Sequence, residues 1–225
     1  QSRAGDVVLF YQAGENDPQV DWLVEHYLSA DLADSITTDT TAAGEGRRVW
    51  FITRDWFGEG VQDAFRALER THPLQSVIGQ CDRAWCLLAQ LMESPPNSEP
   101  IVFGGVLPFY GADITRNGGE ITVRLWWRAE TPPPADYSIS VQVIDSAAGQ
   151  LIAQDDGAIR QYGDTIVQTS AMQPGQIYID TRTVNVPEGL DSAEVRLVVY
   201  QSWDGVRLSV PGGSDHVVLE RSDES

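Results

Sequence analysis

Residues 120–130 (EITVRLWWRAE) decide the fold of the second half of this chain. Apolar residues occupy every second position of the stretch, namely Ile121, Val123, Leu125 and Trp127. Successive side chains of a β-strand point to opposite faces, so these residues share one face and the intervening residues share the other. The alternation therefore predicts a half-buried strand with Trp127 in the core.

Five further stretches downstream have the same character, and these are residues 137–145, 150–154, 176–186, 194–201 and 216–221. Turn signals separate them, such as residues 117–119 (NGG) and 174–175 (PG). Short strands at this spacing predict an antiparallel β-sandwich, immunoglobulin-like or jelly-roll-like, over residues 98–225.

The first half has a different pattern. Short apolar runs at residues 7–12 and 48–53 predict buried strands, and Asp17-Pro18 and residues 58–70 indicate helices. Two more strands are expected at residues 75–81 and 84–92, joined by a tight turn. The alternation predicts a small three-layer α/β subdomain with a mainly parallel sheet over residues 1–97. Residues 93–100 (ESPPNSEP) have the composition of a linker.

Charge excludes two classes of partner. Among the 225 residues, 33 are acidic and 15 are basic, and the net charge is −18. Every basic residue is Arg. A nucleic-acid groove or an anionic membrane surface attracts the opposite sign, so we expect neither partner.

Catalytic and nucleotide-binding signatures are weak. Residues 13–17 (AGEND) follow the first predicted strand without a glycine-rich phosphate loop and place two carboxylates there, which argues against a dinucleotide site. A Gly-x-Ser-x-Gly nucleophile elbow is missing from the sequence. A glycosidase with paired carboxylates stays open, because the pairing of carboxylates depends on the fold.

The aromatic residues suggest a binding surface. Alternation places Trp126 on the face opposite to Trp127, between Arg124 and Arg128. Tyr200 and Trp203 lie near the end of another predicted strand. Flat aromatic rings beside hydrogen-bonding groups suit sugar rings, so we take these residues as candidate ligand contacts. The alternative is that Trp126 packs under a loop or against the first half.

A calcium site is the one metal site that the sequence suggests. The acidic segment 154–157 (QDDG) reads as a turn that offers the carboxylates of Asp155 and Asp156, and Asp164 would add a third. An ordinary solvated turn is the alternative. Cys81 and Cys86 cannot complete a zinc site with three scattered histidines; a hairpin disulfide and two buried free thiols both stay open.

The second half also carries a familiar series of motifs. These are residues 108–114 (PFYGADI), 120–130 (EITVRLWWRAE), 136–145 (DYSISVQVID), 149–157 (GQLIAQDDG), 172–187 (MQPGQIYIDTRTVNVP) and 194–208 (EVRLVVYQSWDGVRL). The series resembles the C-terminal extracytoplasmic domain of bacterial multi-pass glycosyltransferases related to protein O-mannosyltransferases, over about residues 101–210. These enzymes use polyprenyl-phosphate sugars as donors. Residues 5–8 (GDVV) and 48–50 (RVW) resemble, less specifically, the small α/β unit that follows the last membrane helix in such enzymes.

The resemblance implies a non-catalytic domain on the extracytoplasmic face of the cell membrane, attached to an upstream membrane domain. It would contact a glycan or a lipid-linked sugar acceptor. The family's catalytic acid lies in a loop between its first membrane helices, so no catalytic residue is expected here. A secreted carbohydrate- or protein-binding module is the alternative, and a stand-alone enzyme is a third class.

Overall fold

The computed structural model describes residues 5–10, 36–37, 39–44, 46–53, 60–81, 86–162, 165–187 and 193–221. The chain divides into two compact units, Gln1–Pro95 and Pro96–Ser225, and the division falls inside the proline-rich segment 93–100. No described helix has the length and apolar character that crossing a membrane requires.

The first unit contains a single described five-stranded sheet with the order β2-β1-β3-β5-β4. Its strands are β1 (Val7–Phe10), β2 (Ile36–Thr37), β3 (Arg48–Thr53), β4 (Leu74–Cys81) and β5 (Cys86–Glu93). The described helices are α1 (Thr40–Ala43) and α2 (Val61–Glu69).

This sheet is mixed, so the predicted mainly parallel three-layer α/β subdomain is wrong. β1 pairs in parallel with β2 and β3, whereas β5 pairs antiparallel with β3 and β4. The physical reason is the short connection between β4 and β5: only a hairpin can join strands this close in sequence, and a parallel pair needs a long crossover. The helix expected from Asp17-Pro18 and the turn at 82–85 lie outside the described residues.

Helix α2 covers one face of the first unit's sheet. Val61, Phe65 and Leu68 form its buried stripe at helical spacing. The Phe65 ring meets the Phe51 ring of β3 edge to face, with 5.7 Å between their centroids. The strand predicted at residues 48–53 and the helix predicted within 58–70 are thus confirmed.

The second unit is built from strands, and apart from the three-residue 3-10 turn Thr169–Ala171 its described residues form no helix. Its strands are β6 (Ile101–Phe103), β7 (Leu107–Asn117), β8 (Glu120–Arg128), β9 (Tyr137–Asp145), β10 (Leu151–Gly157), β11 (Ile159–Gln161), β12 (Thr165–Val167), β13 (Ile177–Asn185), β14 (Ala193–Gln201) and β15 (Val217–Arg221).

Two four-stranded antiparallel sheets face each other, with the orders β13-β8-β7-β6 and β10-β9-β14-β15. The chain crosses to the second sheet after β8, returns to the first after β10 by way of the two-stranded β11–β12 pair, and crosses again after β13. This is the Greek-key arrangement of immunoglobulin-like sandwiches. The core between the sheets includes Leu125 and Trp127 of β8, Val141 of β9 and Leu197 of β14. The predicted β-sandwich is confirmed.

Candidate functional site

Trp126 and Trp127 lie on opposite faces of β8, as the alternation predicts. Trp127 belongs to the core between the two sheets, and Trp126 packs with Ile177 and Ile179 of β13 in a separate cluster. Trp126 is fully buried, so the expectation of an outward, accessible ring is wrong. Ile179 is the cross-strand register partner of Trp126, so this part of the outer face is apolar. Trp126 offers no surface on which a sugar could stack.

The two arginines that flank Trp126 are each paired with a carboxylate. Arg124 Nη2 donates to Asp113 Oδ2 at 3.0 Å, and its guanidinium lies 5.5 Å from the centroid of the Trp126 ring. Arg128 Nη2 lies 2.6 Å from Glu130 Oε1. Both candidate ligand-binding arginines, Arg124 and Arg128, therefore already have a carboxylate partner within the protein.

Trp203 is the exposed aromatic among the candidates. It lies in the turn that follows β14 and is 60% exposed. One side of its ring is supported by Tyr137, with 6.1 Å between the ring centroids. Tyr200 is half-buried at the end of β14, where its backbone forms a bridge with Arg207.

Two serine hydroxyls belong to the residues next to these aromatics in the sequence, Ser138 after Tyr137 and Ser202 before Trp203. Ser138 Oγ and Ser202 Oγ are 3.0 Å apart, and Ser202 Oγ also donates to the carbonyl of Asp136 at 3.1 Å. We call Tyr137, Ser138, Ser202 and Trp203 the Trp203 platform.

The 3-10 turn Thr169–Ala171 is hydrogen-bonded to the start of β9, which carries two residues of the platform. The backbone N–H of Tyr137 donates to Thr169 Oγ1 at 2.8 Å, and Thr169 Oγ1 donates to the carbonyl of Ala135 at 3.0 Å. Thr169 is fully buried. These bonds fix the start of β9, so the platform is held in place on one side.

The acidic segment predicted as a turn is part of a strand. Asp155 and Asp156 lie within β10, paired with β9, and Asp164 lies outside the described residues. Both carboxylate oxygens of Asp155 accept hydrogen bonds from the Arg160 guanidinium, each at 2.7 Å. This bidentate pair raises the pKa of Arg160 above its ordinary value.

A fully buried ion pair lies next to Asp155. Arg182 Nε donates to Asp180 Oδ2 at 3.0 Å, and Arg182 Nη2 donates to the carbonyls of Gly157 and Ala158 at 3.1 and 2.6 Å. The backbone N–H of Arg160 donates to Asp180 Oδ1 at 2.9 Å. Burial raises the pKa of Asp180, and the Arg182 charge opposes that rise.

This network connects the edge strands of the two sheets. β13 is the edge of one sheet and β10 is the edge of the other, and Arg182 reaches from the first to the carbonyl at the end of the second. A calcium ion at Asp155 would have to compete with Arg160. Among the described residues no cluster of three or more His, Cys, Asp or Glu side chains could hold a metal ion. The calcium site stays a prediction that a calorimetric titration can test.

Sequence reasoning missed two parts of this arrangement. Asp180 and Arg182 share the core face of β13 with Tyr178 and Val184, and charged residues at alternate positions of an otherwise apolar face were the available signal. Tyr137 was placed at a strand start without its partner Trp203. Tyr137 pairs with Gln201, two residues before Trp203, and this pairing brings the two rings together. The sequence alone does not give the register of the sheet, so it could not reveal the contact.

Comparison with known proteins identifies no family for this chain. No protein-family model matches it, and no curated protein matches it. Among solved structures, it is similar to an endonuclease/exonuclease/phosphatase from Beutenbergia cavernae, with 11% sequence identity over 66% of this chain and a TM-score of 0.28. The match spans 35% of that protein's chain. A TM-score this low does not indicate a shared fold.

Proposed function

We propose that this chain is the non-catalytic extracytoplasmic part of a bacterial membrane-bound glycosyltransferase, where it contacts a glycan or a lipid-linked sugar acceptor. The motif series of residues 101–210 supports the assignment to this kind of domain. In the proposal an upstream membrane domain carries the catalytic residues and the polyprenyl-phosphate donor site.

The Trp203 platform is the observation that carries the binding role. A sugar ring has an apolar face that stacks on an indole and a rim of hydroxyls that form hydrogen bonds. The exposed ring of Trp203 would supply the first surface, and the linked hydroxyls of Ser138 and Ser202, the neighbours of Tyr137 and Trp203 in the sequence, would supply the hydrogen-bonding partners. This replaces Trp126 as the aromatic contact, because Trp126 is buried.

Binding at this platform is expected to be weak. One stacked ring contributes about 1 kcal/mol beyond its buried area, and a few hydrogen bonds must offset the cost of association. A dissociation constant of about 1 mM corresponds to about −4 kcal/mol, which is the affinity expected of a single-ring contact. Such a surface would orient an acceptor that the membrane domain holds more tightly.

A titration followed by the backbone amide signals in NMR tests the proposal. Neutral oligosaccharides and a water-soluble phosphoglycan are added to the wild type, to Trp203→Ala and to the control Tyr162→Ala. Tyr162 is a suitable control because it is an aromatic residue with a similar exposure, 51%. We expect saturable shifts of the Ser138 and Ser202 amides in the wild type and in Tyr162→Ala, and their loss in Trp203→Ala. Shifts that persist in Trp203→Ala, or no shifts with any glycan, would contradict the binding role.

A secreted binding module is the second candidate, and one observation favours a protein partner for it. Val206 lies in the same connection as Trp203 and is also more than half exposed. Two exposed apolar residues in one connection suit a protein contact better than a sugar contact. Val206→Asp separates the two ligands, because it should abolish binding of a protein and leave the sugar titration unchanged.

A further inference from the structure

The hairpin of β4 and β5 brings the only two cysteines of the chain into register. The two strands pair antiparallel, and their last pair is Cys81 opposite Cys86. Directly opposed residues of antiparallel strands share one face, with about 4.5–5.5 Å between their Cα atoms. This separation falls within the range of about 4.4–6.8 Å that disulfides require.

Among the described residues, no third strand is paired with the end of the hairpin that carries the cysteines. The described pairing of β3 with β5 ends at Thr53 and Leu88, whereas β4 and β5 stay paired as far as the cysteines. Val77 and Ile78 are 37% and 46% exposed. Consecutive strand residues point to opposite faces, so neither face of β4 is well covered at this position. An isolated two-stranded hairpin is at most marginally stable in water, and a covalent link would hold its register.

We propose that Cys81 and Cys86 form an intramolecular disulfide that clamps the end of the β4–β5 hairpin. Each thiol loses its proton, the two sulfurs together lose two electrons, and one S–S bond forms. A low-molecular-weight disulfide such as oxidised glutathione accepts the electrons and protons through a mixed-disulfide intermediate and leaves as two thiols. The inference is independent of the proposed function, and such a bond persists in an oxidising compartment.

The sequence offers a direct mass-spectrometric test, because Arg83 lies between the two cysteines. The full chain is incubated with oxidised glutathione, its free thiols are blocked with N-ethylmaleimide, and it is digested with trypsin. Cleavage after Arg70, Arg83 and Arg116 produces peptides 71–83 and 84–116. We expect one linked species without reduction and two separate peptides after reduction, from a protein that stays monomeric.

Separate peptides before reduction would overturn the proposal, whether each cysteine carries maleimide or glutathione. A covalent dimer through either cysteine would overturn it as well. The single variant Cys86→Ser is the positive control for the chemistry, since its remaining thiol should accept glutathione.

Amide hydrogen exchange tests the clamp itself. The backbone amides of β4 and β5 should exchange at least roughly tenfold more slowly in the oxidised protein than in the reduced protein, because the link restricts local opening. Cys81→Ser/Cys86→Ser should match the reduced protein under both conditions. Equal rates in the oxidised wild type and in this double variant would show that the bond does not hold the hairpin.

Discussion

Both units bury an arginine between carboxylates, but the two arginines join different parts of the fold. In the first unit, Arg48 bonds Asp6 and Glu93. Arg48 begins β3, Asp6 directly precedes β1 and Glu93 ends β5, and these three strands are neighbours in one sheet. In the second unit, Arg182 bonds Asp180 and reaches the carbonyl of Gly157 in the opposite sheet. The first arrangement fixes strand ends within a sheet, and the second holds two sheets together.

The comparison explains why acidic residues in this chain are poor markers of metal sites. Asp6 accepts from Arg48 Nε at 2.7 Å and from Trp50 Nε1 at 2.9 Å, so both of its oxygens are engaged. Asp155 is likewise engaged by Arg160. A chain with twice as many acidic as basic residues places several of its arginines where carboxylates are buried, because an unpaired buried charge is costly.

Asp180→Asn should have the largest effect on stability. The substitution removes the carboxylate closest to the fully buried guanidinium of Arg182 and leaves Asp155, whose Oδ1 lies 3.7 Å from Arg182 Nη1, as the remaining counter-charge. Breaking a buried pair in this way costs about 3–5 kcal/mol. The free energy of unfolding by urea is the measurement, with amide exchange of β10 and β13 as a local readout. Asp180→Asn/Arg182→Met should lose less than Asp180→Asn alone, since it removes both charges.

Asp215→Asn is the matched control for that experiment. Asp215 also pairs with an arginine, Arg207 at 2.9 Å, but both side chains are about half exposed. Exposed pairs contribute about 0–1 kcal/mol, so this variant should be nearly as stable as the wild type. Similar losses for Asp180→Asn and Asp215→Asn would show that the buried network does not close the sandwich.

Arg48→Met should have the next largest effect, about 3 kcal/mol, the lower end of the range for breaking a buried pair. It removes the guanidinium that bonds both Asp6 and Glu93, although Asp6 keeps the bond from Trp50 Nε1. Faster amide exchange in β1, β3 and β5 is the expected readout. Arg70→Met, at an exposed position after α2, is the control, and a loss as large as that of Arg48→Met would contradict the role assigned to the network.

Sequence patterns predicted the second unit better than the first, because local alternation is enough to place the strands of a sandwich, whereas the sheet of the first unit is set by long-range strand pairing. Alternation alone placed β9 at 137–145, since one face of each sandwich strand is buried. The order of strands in the first unit depends on long-range pairing, and local periodicity does not report whether β3 and β5 run in opposite directions. The same limit applies to Trp126: its face was predicted correctly, but the residues that pack with it, Ile177 and Ile179, lie some fifty residues away.

The smallest of the three effects is an acid response that should come from a buried histidine of the first unit. His72 of the first unit is buried, with Nε2 2.7 Å from the carbonyl oxygen of Gly46 and Nδ1 2.8 Å from Thr71 Oγ1. Burial lowers the pKa of His72 below its ordinary 6.5, and the hydrogen bond to Gly46 opposes this only in part. His216 of the second unit lies at a more exposed position beside Asp215, 2.8 Å from its Oδ1.

Because the folded state binds the His72 proton less tightly than the unfolded chain, the unfolded chain binds more protons below pH 6.5. The free energy of unfolding should therefore stay level well above pH 6.5 and fall as the pH drops through 6.5. His72→Gln should flatten this part of the profile. Asp215 does not interfere, because His216 lowers the pKa of Asp215 below 3.8 and its contribution is lost only in stronger acid. Amide exchange of α2 and β3 at several pH values measures the response, and a profile in His72→Gln as steep as that of the wild type would assign the acid response to other groups.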